Sequence, residues 1–122
     1  MMVRLITKVI LLSMVALTSC YYDVDEVLNP VGSCNTTAMS YQTDIAPILE
    51  RNCYSCHRAS VNTGGITLEG HAALMNHVTS GRLVGAINHQ SGFSPMPQGA
   101  PKLAVCDIDK IEQWIADGSP NN

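Results

Sequence analysis

Cys53-Tyr54-Ser55-Cys56-His57 is the stretch on which the reading of this chain turns. It forms C-x-x-C-H, the attachment pattern of a c-type haem. The spacing has a chemical reason. Two thiols a helical turn apart can add to the two vinyl groups of one porphyrin, and the next residue's imidazole then reaches the iron from the same face. Other uses of a C-x-x-C pair need partners that this sequence lacks. A zinc ribbon needs a second C-x-x-C, and none occurs. A thioredoxin-like redox pair needs a flanking βαβ pattern, and both flanks read as helical. The pattern assigns Cys53 and Cys56 to covalent attachment and His57 to the iron.

Upstream, Ser40 to Cys53 reads as the first helix and runs straight into the motif. Ile45, Ile48, Leu49 and Asn52 recur at i, i+3, i+4 and i+7. Thr43 or Ser40 is placed to cap it, and Asp44 suits the positive end of its dipole. Pro47 has to lie in or near the first turn, where a missing N–H matters least. Downstream, residues 58–70 read as a loop, with Gly64-Gly65 marking unusual backbone torsions. Ile66 and Leu68 alternate with polar neighbours and suit a porphyrin face. A backbone carbonyl of this loop is expected to accept the hydrogen bond from the second ring nitrogen of His57, orienting it and strengthening it as a ligand.

Two short helices are expected next. Leu74 and Val78 point inward from one over His71 to Val78; Leu83 and Ile87 do so from another over Arg82 to Ile87. Gly81 and Gly85 are expected to let neighbouring backbone approach. Residues 88–102 turn irregular, with three Pro and two Gly. Within them lies Ser94-Pro95-Met96-Pro97. Two prolines restrict the backbone on either side of Met96, so the loop can present one thioether without helical support. Met96 is the expected sixth iron ligand. Met39 precedes the first helix, and Met75 reads as a packing residue. His89 is the main rival, followed by His71 and His77. Met96 could instead be a surface methionine, or the iron could be open. Leu103 to Asp117 reads as the last helix, with Ile108, Ile111, Trp114 and Ile115 on one broad apolar face. Gly118 and Pro120 are placed to stop it.

The beginning of the chain has a different character. Arg4 and Lys8 precede the apolar run Val9 to Ala16, which is short for a membrane span and has the layout of an export signal. The run ends in Leu17-Thr18-Ser19-Cys20, which resembles a bacterial lipobox. Residues 1–19 are thus expected to be cleaved and Cys20 lipidated, anchoring the protein to a membrane that faces periplasm or cell surface. Residues 20–39 read as an acidic, flexible tether around Asp23, Asp25 and Glu26. The remaining two cysteines, Cys34 and Cys106, are expected to pair in an oxidising compartment. The bridge would close a loop of about seventy residues, worth on the order of 3–4 kcal/mol. Otherwise the two would be free buried thiols.

Composition agrees with a single domain, 40–122, built around a cofactor. The chain has 122 residues, one Trp and one Phe, and 5% aromatics, a thin core of its own. Without residues 1–19, five basic and ten acidic residues remain, a formal charge of −5. That balance argues against nucleic acid as a partner. It is compatible with a basic patch on a redox protein.

Taken together, the residues from Ser40 to Pro120 resemble a small monohaem cytochrome c of class I. The marks are Cys53-Tyr54-Ser55-Cys56-His57, then Met96-Pro97, then a closing helix with Ile111, Trp114 and Ile115 before Gly118. The resemblance implies an all-α, cytochrome c-like bundle of short helices around one covalent haem c, with the first and last helices packed across each other. It implies His57 and Met96 as axial ligands of the iron. It implies electron transfer between redox protein partners in a bacterial redox chain, with no catalysis and no diffusible substrate. The chain departs from the family in its lipobox and its extra cysteine pair. The competing expectation is a haem enzyme or gas sensor with an open iron; a haem relay fixed in a respiratory assembly is a third.

Overall fold

The computed structural model describes residues 34–122. The expected export signal, the expected lipidation site Cys20 and most of the expected tether lie outside the described residues. Every regular element among the described residues is helical, and no strand occurs. A π-helical turn, Tyr41–Ile45, leads into α1 (Ala46–Asn52). A single turn, α2 (Tyr54–His57), carries the end of the C-x-x-C-H motif. A short 3-10 turn, Thr63–Gly65, is followed by α3 (His71–Thr79), α4 (Arg82–Ile87) and α5 (Val105–Ala116). The described residues are therefore all-α.

The expected first helix, Ser40 to Cys53, is divided into a π-helical turn and α1, and a further break separates it from α2. Pro47 sits in the first turn of α1, as its missing N–H requires. Its ring would meet the carbonyl of Thr43 in a regular α-helix. The chain is widened just there, with Ile45 N–H bonding Ser40 O at 3.2 Å. The second break falls at Cys53, whose torsions (φ −125°, ψ −36°) leave the helical range. Cys53 still bonds back to Leu49 O at 2.7 Å, so the motif remains tethered to α1.

Capping also differs from expectation. Neither Ser40 nor Thr43 caps the first turn through its side chain. Instead the N–H groups of Tyr41 and Gln42 donate to Asn122, to Oδ1 and O respectively, each at 3.0 Å. Ser40 Oγ donates to the same Asn122 carbonyl at 2.9 Å. Asp44 Oδ2 accepts from the Ser40 N–H at 3.0 Å, which places its charge at the positive helix end.

The core forms where the apolar periodicities meet. Ile45, Leu49, Leu74, Ile111 and Trp114 are its largest fully buried side chains. Leu83 and Ile87 of α4 join them, with Met75 and Val78 packed at the margin. Met39, which the sequence leaves in the tether, is also core, at 5% exposure. Beside it the Tyr41 ring lies 6.0 Å from the Trp114 ring and 5.1 Å from His71. Trp114 Nε1 donates to Pro120 O at 3.0 Å, and His71 Nε2 pairs with Ser119 O at 2.8 Å. His71 is thus a structural residue of the core edge. Cys34 and Cys106 form a disulfide.

Helix ends are closed locally. Gly118, at φ +93°, stops α5 as expected; its N–H donates to Ile115 O and that of Ser119 to Trp114 O, the paired bonds of a Schellman motif. The expected last helix is trimmed to Val105 because Ala104 is extended (φ −52°, ψ 140°); Leu103 is buried without being helical. The same Schellman pattern closes α4, with His89 N–H donating to Ala86 O and Gln90 N–H to Gly85 O. There the left-handed position is filled by His89 at φ +53°, where glycine is the usual occupant. A residue with a side chain is disfavoured in that region by roughly 1–2 kcal/mol.

Candidate functional site

The motif, the 58–70 loop, α4 and the Met96 loop enclose one cavity of about 720 Å³. That size falls within the roughly 300–1,000 Å³ of small-molecule and cofactor sites. Cys53, Cys56, His57 and Met96 all line it. Cys53 is half-buried and Cys56 exposed, and both thiols are free. Burial pushes the Cys53 thiol up to about 11, so it stays protonated at neutral pH.

His57 is held from behind. Its Nδ1 lies 3.2 Å from the carbonyl of Ile66. A carbonyl can only accept, so Nδ1 carries the hydrogen and Nε2 keeps its lone pair. The orienting carbonyl expected from the 58–70 loop is therefore that of Ile66. The loop is fixed in turn by Leu68 N–H donating to His57 O at 2.8 Å. This close double link holds the loop along the motif and brings Ile66 and Leu68 to the cavity wall. Gly64 and Gly65, at φ +66° and +73°, supply the torsions that the reversal needs.

The other wall comes from α4 and the irregular segment. Leu83, Ala86, Ile87 and Phe93 line it, with Leu103 beyond. Gly85 admits a side chain and not, as expected, a neighbouring backbone: a Cβ on Gly85 would run into the Phe93 ring. Gly81 has open space around it and is required for its positive φ of 71°. Met96, half-buried, is fastened to this wall by its N–H, which donates to Ala86 O at 3.0 Å.

The histidines separate by position. His77 lines the cavity, whereas His89 and His71 do not. Burial, then the charges of Arg82 and His57, hold His77 below its usual value, which favours a neutral ring. His89 Nε2 lies 3.0 Å from the carbonyl of Met96 and must donate to it. Phe93 and Arg82 line the cavity without having been singled out in the sequence, and Asn52, named there only for its place on the first helix, lines it too. Only Phe93 carried a signal, as the single Phe of the chain, in the irregular stretch before Met96.

The donor set suits a porphyrin better than a bare ion. Among the described residues, no three His, Cys, Asp or Glu side chains gather as a metal site. A haem iron needs only two protein ligands, since the porphyrin supplies four nitrogens, and this cavity offers the imidazoles of His57 and His77 and the Met96 thioether beside two free thiols. No protein-family model, curated protein or solved structure matches this chain.

Proposed function

We propose that this protein is a small c-type cytochrome that carries electrons, with a cytochrome c-like arrangement of its helices around one haem. The observation that carries the reading is the convergence of both motif thiols, the back-bonded His57 and the Met96 thioether on one largely apolar cavity. Cys53 and Cys56 would hold the haem covalently; His57 Nε2 and Met96 Sδ would be its axial ligands. When bound, the haem supplies one-electron exchange between ferric and ferrous iron. The chain's part is to hold, orient and insulate. The Ile66 carbonyl makes His57 a firmer, more basic ligand. Ile66, Leu68, Leu83 and Ile87 exclude water, which disfavours the more highly charged ferric state and raises the potential. Ligation by both His57 and Met96 would leave the iron no position for a substrate, which suits a carrier rather than an enzyme. Its partners are redox proteins. Its location, on this reading, is exported and held on a bacterial membrane through a lipid on Cys20.

Two measurements test this. Denatured protein should retain haem on a gel stained for peroxidase activity, and haem extracted by acid-acetone from the wild type would refute covalent attachment. The ferric protein should be low-spin with the weak far-red band of thioether ligation. Met96→Ala should open the iron to added ligands, and Met96→His should stay low-spin at a lower potential. A Met96→Ala protein with unchanged spectrum and potential would remove Met96 from the iron. His77 would then be the ligand to test, and an iron open in the wild type would favour an enzyme or sensor.

A further inference from the structure

The residue that competes with Met96 in the sequence is, in the fold, attached to it. We infer that His89 is a positioning residue for the axial thioether: it clamps the Met96 backbone so that the side chain stays on the iron. This rests on the ligation of Met96 proposed above. Three observations converge. His89 Nε2–H donates to the Met96 carbonyl at 3.0 Å, across seven positions of an irregular loop. The Met96 N–H is bonded at 3.0 Å to Ala86 O, in the last turn of α4. Both backbone polar groups of Met96 are therefore tied to the end of one helix, the helix that supplies much of the cavity wall. Finally, His89 stands at a left-handed position, φ +53°, in the Schellman stop of α4, where glycine would be conformationally easier. A bulky side chain at such a place is explained by what its ring does, and the ring reaches the Met96 carbonyl.

The clamp has a mechanical reason. Residues 88–102 contain no regular structure, so little else fixes the height of Met96 above the haem. A neutral thioether binds ferric iron weakly enough that holding its backbone changes how often it lets go. Fastening both sides of the peptide chain at residue 96 reduces the loop motions that detach it.

The position at φ +53° permits a clean test. His89→Gly and His89→Asn both tolerate left-handed torsions, so α4 should still terminate and the protein should still fold. Glycine has no side chain, and asparagine is too short to reach the Met96 carbonyl. In the haem-loaded protein, both variants should weaken the far-red thioether band and raise the apparent affinity for imidazole about tenfold, the change expected from one lost hydrogen bond. Thermal unfolding should stay near that of the wild type. An effect seen with glycine but not asparagine assigns it to backbone flexibility and overturns the clamp. A band and an imidazole affinity unchanged in both variants overturn it as well, leaving Met96 ligation standing. If the wild type itself lacks the band and binds imidazole like Met96→Ala, Met96 is not a ligand, and the inference falls with it.

Discussion

Removing the Cys34–Cys106 bridge should cost this domain about 4 kcal/mol of stability, through the unfolded state. The two cysteines are 72 positions apart. Joining them withdraws loop-closure entropy from the unfolded chain, roughly 2.1 + 1.5R ln n cal/mol/K for n residues, which is about 4.4 kcal/mol at 25 °C for a loop of this length. The native state loses less, because Met39 and Tyr41 stay buried and anchor the start of the domain without the bridge. The variant to make is Cys34→Ser with Cys106→Ser, which keeps side-chain volume close to that of the thiols. Urea unfolding at 25 °C, followed by helical circular dichroism and by Trp114 fluorescence, should show the loss of stability. It should also show a steeper denaturant dependence, since an unfolded chain without the link exposes more surface. The midpoint of thermal unfolding should fall by roughly 15–30 °C, at about 4–8 °C per kcal/mol for a domain of this size. A loss below about 1 kcal/mol with an unchanged slope would refute the loop-entropy reasoning. A large loss with an unchanged slope would place the effect in the native packing around Cys34 instead.

Other outcomes follow from the cavity wall and the motif. Gly85→Ala should destabilise by about 1–3 kcal/mol, because the new methyl meets the Phe93 ring. In a Phe93→Ala background the same change should turn stabilising by up to ~1 kcal/mol, the ordinary helix preference of alanine; a cost that persists there means the ring is not the obstacle. Burial raises the Cys53 pKa from 9.0 to about 11. The folded state holds that proton more tightly, so its contribution is full below pH 9 and is lost as pH rises toward 11. Folded protein with both thiols free should therefore weaken across that window, and Cys53 should alkylate more slowly than exposed Cys56 at pH 8; equal rates would contradict the burial argument. Mass spectrometry of the mature protein should find Cys20 acylated at the amino terminus. A free amino terminus at another residue would exclude the lipid anchor.

Short-range pattern carried much of the fold in this sequence. The positions of α3, α4 and α5 follow from apolar residues three and four apart, and most of those residues are buried: Leu74, Leu83 with Ile87, and Ile108, Ile111 with Trp114, while Val78 and Ile115 are only partly buried. Gly118 marked the end of α5 because a left-handed stop favours a residue without a side chain. The motif Cys53 to His57 identified the candidate site because its chemistry resides in five adjacent residues. The Ile66 carbonyl behind His57 was legible as a kind of partner, though not as a particular atom.

What the pattern could not express are contacts between groups far apart in sequence. The first helical turn is capped by Asn122, 81 positions beyond Tyr41, so local capping signals at Ser40 and Thr43 misled. Met39 is buried by residues that arrive from several helices, whereas its own neighbourhood reads as linker. His89 looks like any loop histidine until the chain turns back and sets its ring against the Met96 carbonyl. Periodicity reports which face of an element avoids water. Which donor meets which acceptor depends on where separate elements come to rest, and only tertiary packing decides that.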